Sequence, residues 1–197
     1  MKRLLVISLA ASLGLSVAAC GDGGKAVAEA GINTAQVALD ATKTEAAQYV
    51  PDELRGIENS LSAARDTFAK RNYLQALAEA QRLPPQIAAL GAAVAAKRGE
   101  LTKEWSDLST GLPDAMDAIQ RQIAVLSKSR RLPAGVTTEG LDGARSGADV
   151  MSKTWAEATE ALKTGNMVDA VAKARSVKAK AVEVMNALGM PLPDSLK

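Results

Sequence analysis

Asp114 and Asp117 stand three residues apart, as do Glu157 and Glu160. Each pair falls in a stretch of helical periodicity, where residues three apart share a face. Two neighbouring carboxylates are the raw material of general acid–base catalysis. Such a pair needs a nucleophile or an oxyanion donor beside it, and the chain has neither in recognisable form. Ser60, Ser62 and the other serines have no histidine partner and no Ser-x-x-Lys pattern. No glycine-rich phosphate loop is present. The chain contains no histidine at all, so the commonest general base, metal ligand and pH switch are missing. A zinc site would need thiolates, and Cys20 is the single cysteine. Haem lacks its usual imidazole. We therefore expect no catalytic residue, no metal site and no cofactor: the protein is expected not to be an enzyme.

The elements that would position any site are helical. Aromatic residues make up 3% of the chain, and much of its apolar content is alanine, the best helix former. No run alternates β-branched and aromatic residues as a strand would. The expected fold is all-α: an antiparallel helical bundle of about six to seven helices over residues 25–188, with a duplicated hairpin. A first helix, about 25–49, has Val27, Ala30, Thr34, Val37 and Ala41 on one side. Pro51-Asp52-Glu53 opens the second, because proline fits a first turn and acids there face the positive end of the dipole. Ile57, Leu61, Ala64 and Phe68 form its inner face, and Asn72 breaks it. A third helix turns Tyr73, Ala76, Leu77, Ala80 and Leu83 inward and ends at Pro84-Pro85. A fourth, about 85–109, carries Ile87, Leu90, Val94, Leu101, Trp105 and Leu108. Gly111-Leu112-Pro113-Asp114 is expected to turn the chain into a fifth helix, about 114–130, with Met116, Ile119, Ile123 and Leu126 in a stripe. Thr138 is the expected cap of a sixth, running to about Thr164. The seventh, about 167–188, buries Met167, Ala170, Val171, Ala174, Val177, Ala181, Met185 and Leu188, and Gly189 stops it. Residues 189–197 are expected to be an extended tail. Phe68, Trp105 and Trp155 are the expected large fillers of a thin, alanine-rich core.

The lone thiol lies at the end of a short apolar segment. Met1-Lys2-Arg3 is a basic start, Leu4-Leu5-Val6-Ile7 opens the apolar run, and Val17-Ala18-Ala19 brings small residues up to Cys20. That run is too short to span a bilayer, which takes about 20 residues. Its three regions are those of a processed signal, and Val17-Ala18-Ala19-Cys20 resembles the lipobox of bacterial lipoproteins. The resemblance implies that residues 1–19 are removed, that Cys20 is lipidated and that residues 20–24 tether the body. It places the chain in the bacterial envelope, facing the periplasm and held to a membrane through acyl chains. In that family an aspartate directly after the cysteine favours the inner membrane; Gly21 stands there, which favours the outer one. Lys2 and Arg3 leave with the signal, so the 24 basic residues become 22 against 22 acidic. A neutral body has no electrostatic reason to bind nucleic acid.

Residues 57–80 align without a gap on residues 151–174. Ile57 matches Met151, Leu61 matches Trp155, Ala64 matches Ala158, Phe68 matches Leu162, Asn72 matches Asn166, Leu74 matches Val168, and Ala76 and Ala80 match Ala170 and Ala174. The duplicated hairpins span about 52–83 and 145–188, each an amphipathic helix, a break and an alanine-rich helix. Asparagine suits the break because it tolerates left-handed backbone angles. The turns Asn72-Tyr73-Leu74-Gln75-Ala76 and Gly165-Asn166-Met167-Val168-Asp169-Ala170 resemble the turn of a tetratricopeptide repeat over about ten residues each. The 94-residue separation of the copies differs from the tandem spacing of about 34 in that family. Alanine-rich helical hairpins on a lipid anchor are similar to small envelope lipoproteins.

Tyr73, Trp105 and Trp155 are the candidate contacts for a ligand or partner. Lys128, Arg130 and Arg131 form a basic cluster suited to a helix C-terminus. Lys173, Arg175, Lys178 and Lys180 give the last helix a basic face, expected to be solvated. Taken together, these features point to a lipid-anchored module that binds or positions an envelope protein. The alternative is a carrier or sensor of a small apolar ligand held between helices.

Overall fold

The computed structural model describes residues 23–196. The expected signal segment 1–19, Cys20 and the tether residues 21–22 lie outside the described residues. The chain folds into helices: α1 (Gly23–Tyr49), α2 (Pro51–Ala69), α3 (Tyr73–Ala80), α4 (Leu83–Lys128), α5 (Thr138–Lys163), α6 (Met167–Ala187) and a short 3-10 turn, Asp194–Leu196. Among the described residues there is no strand, and the fold class is all-α. Gly23 and Gly24, expected in the tether, are the first residues of α1.

The expected fourth and fifth helices are corrected: 85–109 and 114–130 are one continuous helix with Pro113 inside it, so the seven helices enumerated from the sequence are too many. A proline in a helix interior removes a donor and crowds the carbonyl four residues back, at a cost of about 3 kcal/mol. Leu108, Leu112, Ala115, Met116 and Ile119 are all buried around it. A break would unseat that row, and each large apolar side chain contributes about 1.5–3 kcal/mol when buried. Packing outweighs the local rule. Pro84 and Pro85 likewise occupy the first turn of α4, where a missing N–H costs nothing. The third helix ends earlier than expected, at Ala80.

The described chain divides into two compact units. One comprises residues 23–41 and 55–88, the other 42–54 and 89–196. In the first unit the buried face of α1 is Ala28, Ile32, Ala35 and Leu39. The expected stripe is displaced: Val37 is 71% exposed and Val27 is exposed too, because Ile32 and Leu39 carry more apolar surface than Val27 and Thr34. Ile57, Leu61, Ala64, Ala76, Ala80, Leu83 and Ile87 are also buried in this unit. A Cβ at Gly31 would meet Ala80 Cβ at 3.4 Å, so small residues set the close approach of α1 and α3.

In the second unit one cluster joins residues of α4, α5 and α6 to Leu196. Helix α6 runs back along α5: a Cβ at Gly147 would lie 2.6 Å from Val184 Cγ2. Thr137, not Thr138, caps α5, accepting a hydrogen bond from Gly140 N at 3.0 Å. Ala144, Ala148, Ala158, Ala170, Ala174 and Ala181 are buried here. The expected large fillers lie at the edge of the cores: Trp105, Trp155 and, in the other unit, Phe68 are only partly buried. The largest fully buried side chains are Leu39, Leu83, Leu112, Ile119, Met151, Val171 and Val177. Met167 is also only partly buried.

The two hairpin turns share one hydrogen-bond scheme. Asn72 N donates to Thr67 O and Arg71 N to Phe68 O; Asn166 N donates to Ala161 O and Gly165 N to Leu162 O. Both are the six-to-one and five-to-two bonds of a Schellman ending. The left-handed residue is Arg71 (φ 63°) in one and Gly165 (φ 83°) in the other. The asparagines follow it at φ −88° in both and serve as N-caps, which corrects their expected left-handed role. Helix α6 ends in the same way at Gly189, φ 64°. Beyond it the expected extended tail folds back. Met190 and Leu192 pack on the second unit's core, and Leu196 is 4% exposed.

Candidate functional site

The sequence-derived contact residues do not converge. Tyr73 opens α3 in the first unit, its ring 5.2 Å from that of Phe68 with planes at 58°. It is partly buried and closes the hairpin turn. Trp105 of α4 and Trp155 of α5 belong to the second unit. Their rings stack, with centroids 5.5 Å apart and planes 2° apart. Each covers a face of the other, and neither lines the cavities described below. A sequence signal for this pairing exists: Leu101-Thr102-Lys103-Glu104-Trp105 and Met151-Ser152-Lys153-Thr154-Trp155 place a buried aliphatic, a lysine and a tryptophan at the same spacing.

The second unit contains a cavity of about 610 Å³. Asp107, Thr110, Gly111, Asp114, Ala115 and Ala118 form its α4 wall, a single helix face. Met185 of α6 supplies another wall. Met190, Pro191, Leu192, Pro193 and Ser195 of the returning C-terminal segment line its other side. The return is held by Leu196 in the core, and within the segment Leu196 N donates to Pro193 O at 3.0 Å. It comes down on Gly111: a Cβ there would lie 2.6 Å from Ser195 Cβ and 2.8 Å from its Oγ. Asp114, half of an expected carboxylate pair, lines the cavity with Asp107. Its expected partner Asp117 does not.

A second cavity of about 600 Å³ shares Asp107 and Ser195 with the first and is otherwise lined by Glu104, Leu108, Arg175, Lys178, Ala179 and Val182. Its polar centre is a two-pronged contact, Arg175 Nε and Nη2 donating to Glu104 Oε1 and Oε2 at 2.5 Å each. These bonds hold the Glu104 carboxyl below the usual range against the opposing effect of burial, and the charge of Arg175 adds to them. The same contact raises Arg175. In the first unit, a smaller cavity of about 240 Å³ is lined by Ser60, Glu79, Arg82 and Gln86 among others. Glu79 Oε2 is buried there without a hydrogen-bond partner, while Gln75 Nε2 donates to its Oε1 at 2.9 Å.

The basic face of α6 is largely paired. Lys173 bonds Asp169 and Lys180 bonds Glu183, besides Arg175 with Glu104. Lys128, Arg130 and Arg131 are exposed beyond or at the end of α4. Glu157 is exposed, and Glu160 lies 3.6 Å from Lys163. Arg98 pairs with Glu45 and sits 5.4 Å over the Tyr49 ring. Hydrogen bonding to Glu45 is the main reason that its pKa is raised. Among the described residues no three His, Cys, Asp or Glu side chains are grouped to hold a metal ion. No helix there is long and apolar enough to cross a membrane.

One surface feature recurs in both units. Leu74, second residue of α3, is 78% exposed, and Val168, second residue of α6, is 36% exposed. They are the matched positions of the two hairpins, each two residues beyond its asparagine. Composition alone does not reveal this, because most apolar residues at matched positions are buried. No protein-family model matches the chain, and no curated protein or solved structure is significantly similar to it.

Proposed function

We propose that the protein is a lipid-anchored, non-enzymatic helical module of the bacterial envelope that binds or positions another envelope protein. Acyl chains on Cys20 attach it to a membrane, the outer one in preference to the inner, with the body facing the periplasm. The body is an antiparallel bundle whose two hairpins are similar to tetratricopeptide units. The observation that carries this reading is the repeated display of an aliphatic side chain, Leu74 and Val168, at one station of two hairpins with the same turn. An isolated exposed leucine is ordinary. Two at matched places give each hairpin its own apolar foothold for a partner, and helical-repeat proteins engage extended or helical segments through such side chains.

The test is photocrosslinking in intact cells, with a photoreactive amino acid placed at Leu74, at Val168, or at the exposed Val125 outside the hairpins. One envelope protein captured from both hairpin positions and not from Val125 supports the reading. Equal capture from all three positions, or none from Leu74 and Val168, overturns it. Mass spectrometry of the same material reports whether Cys20 is acylated, and an unmodified Cys20 removes the anchor.

A further inference from the structure

We infer that the cavity between α4, α6 and residues 190–195 is a binding site for a small apolar organic cation of the alkylammonium type. Its volume of about 610 Å³ falls within the range of small-molecule sites, about 300–1,000 Å³. Ala115, Ala118, Met185, Met190 and Leu192 give it an apolar interior. Methionines are unbranched and polarisable, and they adapt to ligands of irregular shape. The charged side chains lining it are Asp107 and Asp114, and no basic side chain does. The two aspartates lie two turns apart on one face of α4. Neither has an ion-pair partner among the described residues. The cations nearby face the adjoining cavity, where Arg175 is held by Glu104 and Lys178 also acts on that carboxylate. An apolar body fits the interior, and a positive head pairs with one carboxylate and is attracted by the other. A carboxylate or phosphate head would be repelled by them.

The returning segment is part of the site. Gly111 has no Cβ, so Ser195 seats directly against α4. Leu196 fixes the end of the segment in the core. A ligand would therefore lie in a cleft between α4 and a segment whose far end, Leu196, is fixed in the core. This inference stands whether or not the hairpins hold a partner, because its test uses the protein alone.

The test is isothermal titration of the purified full-length chain with three probes of one tail length: octylammonium, octanoate and octanol. Octylammonium should saturate a single site, and octanoate and octanol should bind about tenfold or more weakly, since two screened surface charges supply most of the difference. Asp107→Asn with Asp114→Asn should abolish the preference for the cation. Ala118→Trp, which fills the cavity, should weaken octylammonium by at least about tenfold. Circular dichroism establishes that each variant is folded. Absence of saturable octylammonium binding overturns the inference. So does equal affinity for octylammonium and octanol, or undiminished binding to folded Ala118→Trp.

Discussion

Trp105 and Trp155 lie face to face, with ring centroids 5.5 Å apart and planes 2° from parallel. They are the only two tryptophans in the chain, so its indole fluorescence reports on this contact alone. Both rings are partly buried at the edge of the second unit's core. Replacing either by alanine should cost about 2–3 kcal/mol, below the figure for a fully buried tryptophan. An aromatic pair contributes about 0.5–1.5 kcal/mol beyond its area burial. Urea unfolding of Trp105→Ala, Trp155→Ala and the double variant should give a coupling energy in that range. A coupling near zero would mean that the rings only share a surface.

Two glycines of α4 should respond oppositely to alanine. Gly99 has nothing within 4 Å of a built Cβ, whereas Gly111 meets Ser195 at 2.6 Å. Gly99→Ala should stabilise the protein by about 0.5–1 kcal/mol, because glycine is poor in a helix interior. Gly111→Ala gains the same helix propensity but must push Ser195 away. Hydrogen exchange at the Leu196 amide should quicken, since Leu196 is buried in the core only while the segment is seated. Adding Ser195→Gly to Gly111→Ala should restore slow exchange. Unchanged exchange in Gly111→Ala would show that the segment is not seated as described.

The bond between Glu104 and Arg175 makes a defined contribution to stability that depends on pH. Glu104 is lowered from its ordinary value of 4.5, so the folded state holds this proton less tightly than the unfolded state. The stabilisation is fully present above the ordinary value and is lost as pH falls through the depressed one. Arg175→Gln should cost about 1 kcal/mol or less at pH 7, because the arginine side chain is 56% exposed and the pair is screened. The difference between the two proteins should shrink below pH about 4.5 and vanish at lower pH. Thermal unfolding of both proteins across that range measures it. A difference that persists at the acid end would assign it to lost packing of the arginine stem.

The all-helical class was legible because Ile57, Leu61 and Ala64, or Ala170, Ala174, Val177 and Ala181, keep helical spacing and are buried as that spacing requires. The hairpin breaks were legible too, since Asn72 and Asn166 fall at the turns. Pro113 misled because a single-residue rule ignores the buried row around it, Leu108, Leu112, Ala115, Met116 and Ile119. The α1 stripe misled because several small apolar residues fit more than one face, and only Ile32 and Leu39 weigh enough to decide. The cavity was illegible. Leu192 follows Pro191 and Leu196 comes three residues after Pro193, with no period, and nothing in Met190-Pro191-Leu192-Pro193 indicates that the chain turns back onto Gly111. That placement is a long-range event with no local signature.

The paired turns permit a comparison inside one molecule. At the left-handed position Arg71 has φ 63° and Gly165 has φ 83°. A side chain there costs about 1–2 kcal/mol, and glycine avoids that cost. Arg71→Gly should therefore stabilise the protein by about 1 kcal/mol, after the greater freedom of glycine in the unfolded chain is set against the relief. Gly165→Ala should destabilise by a similar amount. The caps one residue later should also differ. Asn166 accepts from Asp169 N at 3.1 Å, whereas Asn72 makes no side-chain cap and donates to Gln75 Oε1. Asn166→Ala should cost about 1 kcal/mol, and Asn72→Ala only a few tenths. Chemical denaturation of the four single variants tests both contrasts. Equal losses at Asn72 and Asn166 would show that the first hairpin draws on its asparagine as the second does, and that the difference in capping carries no free energy.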